Sequence, residues 1–374
     1  TLDPKYLGDW LAYHSTTEVN MLDAWLAGLR LTGTEIENYK AGKHINWEDF
    51  IYHNGVRQDY NISLSGKRND FTYYWSLGYM KNEALTIGDE FSTVRSRVNL
   101  EGQVSKFLKV GLNAQFSYRD ESSVPANNGQ YMNLTPYSTF LADDSVALRL
   151  YPNDDIQASH PLLERTYRTR EMEYYTFFPK IYSILELPFG ITYTMNLTTR
   201  MEFYHRYIHN SSQHPSWRLY GGDASRDNSL RREWQIDNII NWNRTFFNVH
   251  KVDLTLLANA EKFKLDSDGM TNRSFSPNDV LGYHDMSTGT LPVLSSNDQV
   301  QTADALMARL NYGYNNKYLL TLSIRRDGSS LFGYSNPRAT FPAAALGWVI
   351  TEDDFFKIDF VDYLKVRMSW GVNG

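Results

Sequence analysis

His205, His209 and His214 are the nearest approach in the chain to a metal-ligand cluster. On a helix His205 and His209 would share a face and offer two imidazoles to one ion. Their neighbours read instead as a strand running into a loop, so the expectation is an exposed loop without a metal. Asp266-Ser267-Asp268-Gly269 opens like a calcium loop, but the later acidic ligands are missing at the required spacing, and a polar turn is expected. The acidic neighbours Asp143/Asp144, Asp154/Asp155 and Asp353/Asp354 are adjacent in sequence, whereas an acid/base couple needs two carboxyls set across a cleft. No GxSxG, HExxH, P-loop or dinucleotide glycine fingerprint occurs. With no nucleophile, general base or phosphate cradle in evidence, the sequence does not read as an enzyme.

The elements that would position any site are strands. Leu306, Ala308, Leu310, Tyr312 and Tyr314 alternate with Met307, Arg309, Asn311 and Gly313, which puts an apolar and a polar face on one extended segment. Asn315, Asn316 and Lys317 form a tight connection to a second strand carrying Leu320, Leu322 and Ile324, so the pair predicts a hairpin. The same grammar runs from Val56 onward: Tyr60, Ile62 and Leu64, then Phe71 to Tyr79, Val94 to Leu100 and Leu108 to Tyr118. It continues through ITYTMNLTTRMEF, VDLTLLANA and LKVRMSWGV. The count is roughly twelve strands of ~10 residues, the length a tilted strand needs to cross a hydrocarbon layer.

Connections of two kinds alternate. Short ones fall at 67–70, 105–107, 188–190, 246–251 and 315–317, and long ones at 82–91, 121–172, 207–229, 265–302 and 328–340. An up-and-down transmembrane barrel has this asymmetry, with tight turns on one rim and long loops on the other; a soluble β-sandwich has no reason to keep it. Arg95, Arg97, Lys109, Arg119, Lys180, Asp237, Asp253, Arg309, Arg325 and Arg367 all fall on the polar faces, where charges of both signs would line a wide lumen. Phe71, Tyr73, Tyr118, Phe246, Phe247, Tyr312, Tyr314 and Tyr318 collect near strand ends, as rings do at a bilayer interface.

Composition permits this reading. Aromatic residues make up 14% of the 374, more than a disordered chain carries, so the chain folds. A net charge of -6 gives no footprint for nucleic acid, and with no cysteine neither a disulfide framework nor a thiolate metal site is available. Mean hydropathy of -0.49 does not exclude a membrane, because a barrel shows lipid only alternate residues. The longest apolar run, near Pro342 to Ile350, is far below the ~18 residues of a spanning helix. Before the strands, Val19, Leu22, Trp25, Leu26 and Leu29 recur at helical spacing with Gly33 as a stop, which predicts a short amphipathic helix in a loop or cap.

RLNYGYNNKYLLTLSIRRDGSSLFG, from Arg309 to Gly333, with TFPAAALGWVI and LKVRMSWGVNG after it, resembles the barrel of SusC/RagA-type TonB-dependent outer-membrane transporters of Bacteroidetes. NISLSG, FTYYWSLGYMKNEAL, VRSRVNLEG and LKVGLN resemble the first half of the same barrel, and 121–302 matches in strand rhythm alone. The resemblance implies an all-β, antiparallel, up-and-down transmembrane β-barrel of 22 strands with an N-terminal plug, of which about twelve strands are present here. The two ends look cut, so an internal fragment is expected, with residues 1–46 as a loop or helical cap and 47–374 as partial barrel. The resemblance further implies import of oligosaccharides, or less often peptides, across the bacterial outer membrane. A SusD-like lipoprotein would cover the long loops, and the TonB complex would supply energy through a region outside this sequence. Arg326-Asp327-Gly328 resembles the family's motif after a strand and is read as opening and fixing a loop.

Ligand contacts would then come from the long loops, where Tyr131, Asn133, Trp217, Tyr220 and Tyr283 can stack on sugar faces and bond hydroxyls. Packing within the loops is the competing role for each. No cofactor or metal is expected. Two other functions stay open: a TonB-dependent siderophore or cobalamin receptor, which would take a metal chelate and need no lipoprotein, and a soluble all-β binding or adhesion module.

Overall fold

The computed structural model describes residues 7–13, 17, 21–142, 148–276, 280–356, 358 and 360–373. Twelve strands form one antiparallel sheet in chain order, β1 to β12, with every neighbour in sequence a neighbour in space. They run β1 Val56–Arg68, β2 Phe71–Glu83, β3 Glu90–Ser105, β4 Leu108–Asp120, β5 Arg168–Leu187 and β6 Ile191–Asn210. The second half is β7 Asp223–Phe246, β8 His250–Arg273, β9 Val293–Tyr314, β10 Tyr318–Ser329, β11 Arg338–Val349 and β12 Lys365–Gly371. Among the described residues no helix is long and apolar enough to cross a membrane, and the strands carry the architecture.

The pairing registers bring the apolar residues onto one continuous face. Leu100, Leu112, Ile181, Leu197 and Ile236 lie side by side across β3 to β7. Leu254, Leu310, Leu322, Ala344 and Trp370 do the same across β8 to β12. The residues between them build the opposite face, for example Asn99, Asn113, Lys180, Thr198, Gln235 and Glu261. There Asp237 accepts from Asn259 Nδ2 at 2.7 Å, and Thr321 Oγ1 donates to Asn311 at 2.9 Å.

Among the described residues the apolar face is largely uncovered: Ile62 is 63% exposed and Leu346 60%. An apolar surface this wide, turned away from a hydrogen-bonded polar face, belongs against lipid and is incompatible with a module folding in water. The soluble reading fails on that observation.

The tight turns are built from backbone in the left-handed region. Asn69 ends β1, Phe247 and Asn248 link β7 to β8, and Asn315 and Asn316 link β9 to β10, all at positive φ. This backbone twist matches that of the flanking strands, and Asn tolerates it better than other residues with a side chain. Above the turns a belt of rings stands on the apolar face: Tyr314, Tyr318 and Trp348 follow one another at 6.4 Å centroid spacing, with adjacent rings 15° and 18° from parallel. A second belt, Tyr118, Tyr175 and Phe203, marks the other boundary.

The strand lengths depart from the expected uniform ~10 residues. β2 has 13 residues and, tilted by ~40°, rises about 33 Å, close to one hydrocarbon layer. β7 and β8 have 24 each and rise about 60 Å, so they stand well clear of the membrane on the long-loop side. Three sequence expectations are corrected as a result. Asp266-Ser267-Asp268-Gly269 is β8 strand paired with β7 and β9, not a turn. Arg326-Asp327-Gly328 is β10 strand, and the loop opens only after Ser329. Much of 207–229 and 265–302 is ladder, not loop. Beyond the lipid the outward face need not be apolar, so the period-two signal vanishes while the backbone pairing continues.

The connection from β11 to β12, residues 350–364, is long yet lies on the tight-turn side. It is tied back where Asp353 accepts from Trp348 Nε1 at 2.6 Å and from Lys317 Nζ at 3.1 Å.

Before β1 the chain forms α1 Leu7–Tyr13, α2 Met21–Gly28, α3 Gly33–Lys40 and α4 Glu48–Ile51. Gly33 opens α3 where a stop was expected, because Thr32 supplies a capping box with Glu35. Val19 and Asp143/Asp144 lie outside the described residues.

Candidate ligand-binding rim

The long-loop rim carries two packed assemblies. In the first, α3 and α4 fold against 121–142 and 148–167. Trp47, Ile51 and Ala126 are its buried centre, with Tyr131, Leu134, Phe140 and Leu162 around them. Trp47 Nε1 donates to the Thr135 carbonyl at 3.0 Å. Glu35 is buried and fully engaged: one oxygen accepts from Thr135 Oγ1 at 2.6 Å and Ser138 Oγ at 3.1 Å, the other from the Thr32 amide at 2.9 Å. His160 sits between the rings of Trp47, at 5.3 Å, and Phe140, at 4.7 Å, and burial pushes its imidazole down to about 4. Asp154 accepts from Thr34 and Arg149, which holds its carboxyl below the usual range. This is an ion-paired loop corner, and the Asp154/Asp155 neighbours form no catalytic couple.

The second assembly joins 211–222 to 274–276 and 280–292, with Ala224, Phe275 and Tyr283 buried at its centre. The Ser274 amide donates to the Tyr220 carbonyl at 2.7 Å, and Asn272 Nδ2 donates to the Met286 carbonyl at 2.8 Å. Arg273, the last residue of β8, organises the outer part. Its guanidinium lies 4.7 Å from the Tyr220 ring centre and 5.4 Å from that of Trp217.

The five candidate contact residues therefore divide two and three. Tyr131 donates to Glu48 Oε1 at 2.9 Å and meets Tyr52 edge-on, and that hydrogen bond raises its phenol above the usual range. Asn133 is exposed, its amide donating to the Gly129 carbonyl at 3.3 Å. Trp217 and Tyr220 come together through Arg273, with Tyr220 the more exposed. Tyr283 is buried against Tyr207 and His284. Nothing in the sequence pointed to the long-range contacts of Glu35, His160 and Arg273: Ser138 lies 103 residues from Glu35, Asp223 lies 50 from Arg273, and His160 packs back against Trp47.

The three histidines do not converge on one point. His214 Nδ1 accepts from the Ser216 amide, with Glu164 3.4 Å from Nε2, and the His209 ring stands edge-on to Phe275. His205 faces carboxylates from the neighbouring strand, 2.9 Å from Glu171 and 3.5 Å from Glu173.

No family model matches the chain. It is similar to TonB-dependent receptor P39 of Formosa agariphila, 23% identical over 379 residues, covering 99% of this chain and 36% of that protein. A shorter match, 45% identical over 74 residues, links 20% of the chain to 7% of TonB-dependent receptor SusC of Bacteroides thetaiotaomicron. Among solved structures, the RagAB peptide importer in the open-open state superposes with a TM-score of 0.76 at 16% identity, over 99% of this chain and 44% of that one.

Fold and likeness point to one class: the chain is similar to the β-barrel of TonB-dependent receptors of the bacterial outer membrane. Within that class its likeness to SusC and to the RagAB importer agrees with the resemblance noted around Arg309 to Gly333. The chain spans about a third of the length of the curated relatives that match most of it.

Proposed function

We infer that this chain is the wall and outer rim of an active importer, driven through the TonB complex and covered by a SusD-like lipoprotein. The observation that carries the inference is the match of nearly the whole chain to a TonB-dependent receptor, in a sheet whose loops fold into two assemblies on one rim. Residues 1–46 belong to the rim as a cap, and 47–374 supply the barrel wall with its loops.

The ligand we favour is an oligosaccharide. Tyr220 and Trp217 offer ring faces beside a fixed guanidinium, the pairing of flat surface and hydrogen-bond donors that suits a sugar ring. Asn133 offers an amide, while Tyr131 and Tyr283 hold the loops that present these groups. A peptide ligand is the second reading, favoured by the name of the RagAB importer. A siderophore or cobalamin would instead arrive as a chelate and need no lipoprotein.

The test is to purify the full-length protein from its native outer membrane in mild detergent and identify what accompanies it by mass spectrometry. A surface lipoprotein and bound glycans support the reading, and bound peptides move it to the second. A metal chelate without a lipoprotein overturns it.

A further inference from the structure

Glu171 and Glu173 on β5 and His205 on β6 stand on the outward face of the strands, one step beyond the ring belt of Tyr118, Tyr175 and Phe203. Their ligating atoms lie within 4.8 Å of one another. We propose that these three residues bind a divalent transition metal of the zinc class, with the imidazole and two carboxylates as ligands and a further position open to water.

Geometry supports this first. Tetrahedral coordination at 2.0–2.2 Å spaces ligand atoms about 3.3–3.6 Å apart. His205 Nε2 is 2.9 Å from Glu171 Oε1 and 3.5 Å from Glu173 Oε2, so sub-ångström adjustments admit an ion.

The surrounding groups support it independently. Tyr118 and Tyr175 each donate a hydroxyl to Glu173, both at 2.7 Å, one to each oxygen, which fixes the carboxylate in the way outer-shell partners orient a metal ligand. His205 is buried and lies nearly parallel to Tyr207 with ring centres 4.7 Å apart, so its imidazole is held facing the carboxylates. Among the described residues neither carboxylate forms an ion pair with Arg or Lys, and Asp120 lies beside Glu173 in register. Arg226 is nearby, but its guanidinium is turned onto the Tyr207 ring at 4.1 Å. Three carboxylates and one imidazole attract a cation that the protein does not itself provide. A metal here would clip β5 to β6 just outside the membrane, at the root of the loops that follow and precede them. This site goes beyond the import reading and does not depend on it.

The experiment uses the untagged full-length protein, stripped with chelator and titrated calorimetrically with Zn²⁺ alone, then with Ca²⁺ alone. One Zn²⁺ site is expected, with Ca²⁺ binding much weaker. His205→Ala and Glu173→Gln should each abolish it, and Tyr118→Phe should weaken it about tenfold by releasing Glu173. Heat-modifiable migration on gels shows that each variant is a folded barrel, and any variant that is not is replaced by His205→Gln. No Zn²⁺ site in the native protein, an unchanged site in folded His205 variants, or equal affinity for Ca²⁺ would each overturn the proposal.

Discussion

Arg273 Nε donates to Asp223 Oδ2 at 2.9 Å, joining the last residue of β8 to the first of β7. Asp223 is buried, and its other oxygen accepts from Asn210 Nδ2 at 3.3 Å. The guanidinium is thus fixed from below while its upper side meets Tyr220 and Trp217. If this surface meets ligand, the Trp217→Ala/Tyr220→Ala double variant of the full-length protein should lose about 2 kcal/mol or more of affinity, the scale of two stacked rings. Barrel stability should be unaffected, because neither ring is part of the sheet. Asp223→Ala should produce a smaller loss by leaving Arg273 unanchored. Calorimetry with the ligand identified by mass spectrometry checks both, and unchanged affinity in the double variant would remove these two residues from the site.

Glu35 ties α3 to the 121–142 loop through Thr135 and Ser138. Truncating it leaves those two hydroxyls without their acceptor and creates a cavity, for a cost of about 2–4 kcal/mol confined to the cap. Glu35→Ala should therefore speed hydrogen exchange in residues 33–40 and 121–142 without altering exchange in the strands. Glu35→Gln, which keeps the shape and one acceptor, should fall between.

His160 makes the same assembly sensitive to acid. Its folded imidazole titrates at about 4, below the ordinary value of 6.5, so the unfolded cap binds the proton more readily than the folded one. Stability is complete above 6.5, declines by about 1.4 kcal/mol per pH unit between 6.5 and 4, and levels off below. Proteolysis of the cap should accelerate across that window. His160→Leu forfeits the bond from the Leu162 amide and begins less stable, but its proteolysis should lose the part of the pH dependence that comes from His160.

The barrel was legible because lipid and water impose opposite demands on alternate residues: Leu310 and Leu322 against Asn311 and Thr321 suffice to read the hairpin. The tight turns were legible for a related reason, since Asn315-Asn316 advertises left-handed backbone. Outside the membrane that constraint lapses. Ser267 and Asp268 pair as regularly as Leu254 does, yet nothing in their side chains says so. The rim was the least legible part. Glu35 to Ser138 and Asp223 to Arg273 are contacts that only the folded loops create, and Glu171 meets His205 only once the register of β5 and β6 is known.

The two faces of β10 give the sharpest test of the membrane placement. Leu322 stands on the outward face between Leu310 and Ala344, about a third of the way up from the turn rim, and Thr321 beside it faces inward toward Asn311. An arginine near the bilayer midplane on the lipid face costs about 2–4 kcal/mol, whereas the lumen tolerates charge. Leu322→Arg should therefore lower the denaturant midpoint of the full-length barrel and its yield in the outer membrane. Thr321→Arg, one residue away, should leave both near their native values. The comparison cancels any general effect of a bulky cation on this strand, so equal damage from the two would mean that the apolar face of β10 is not turned to lipid.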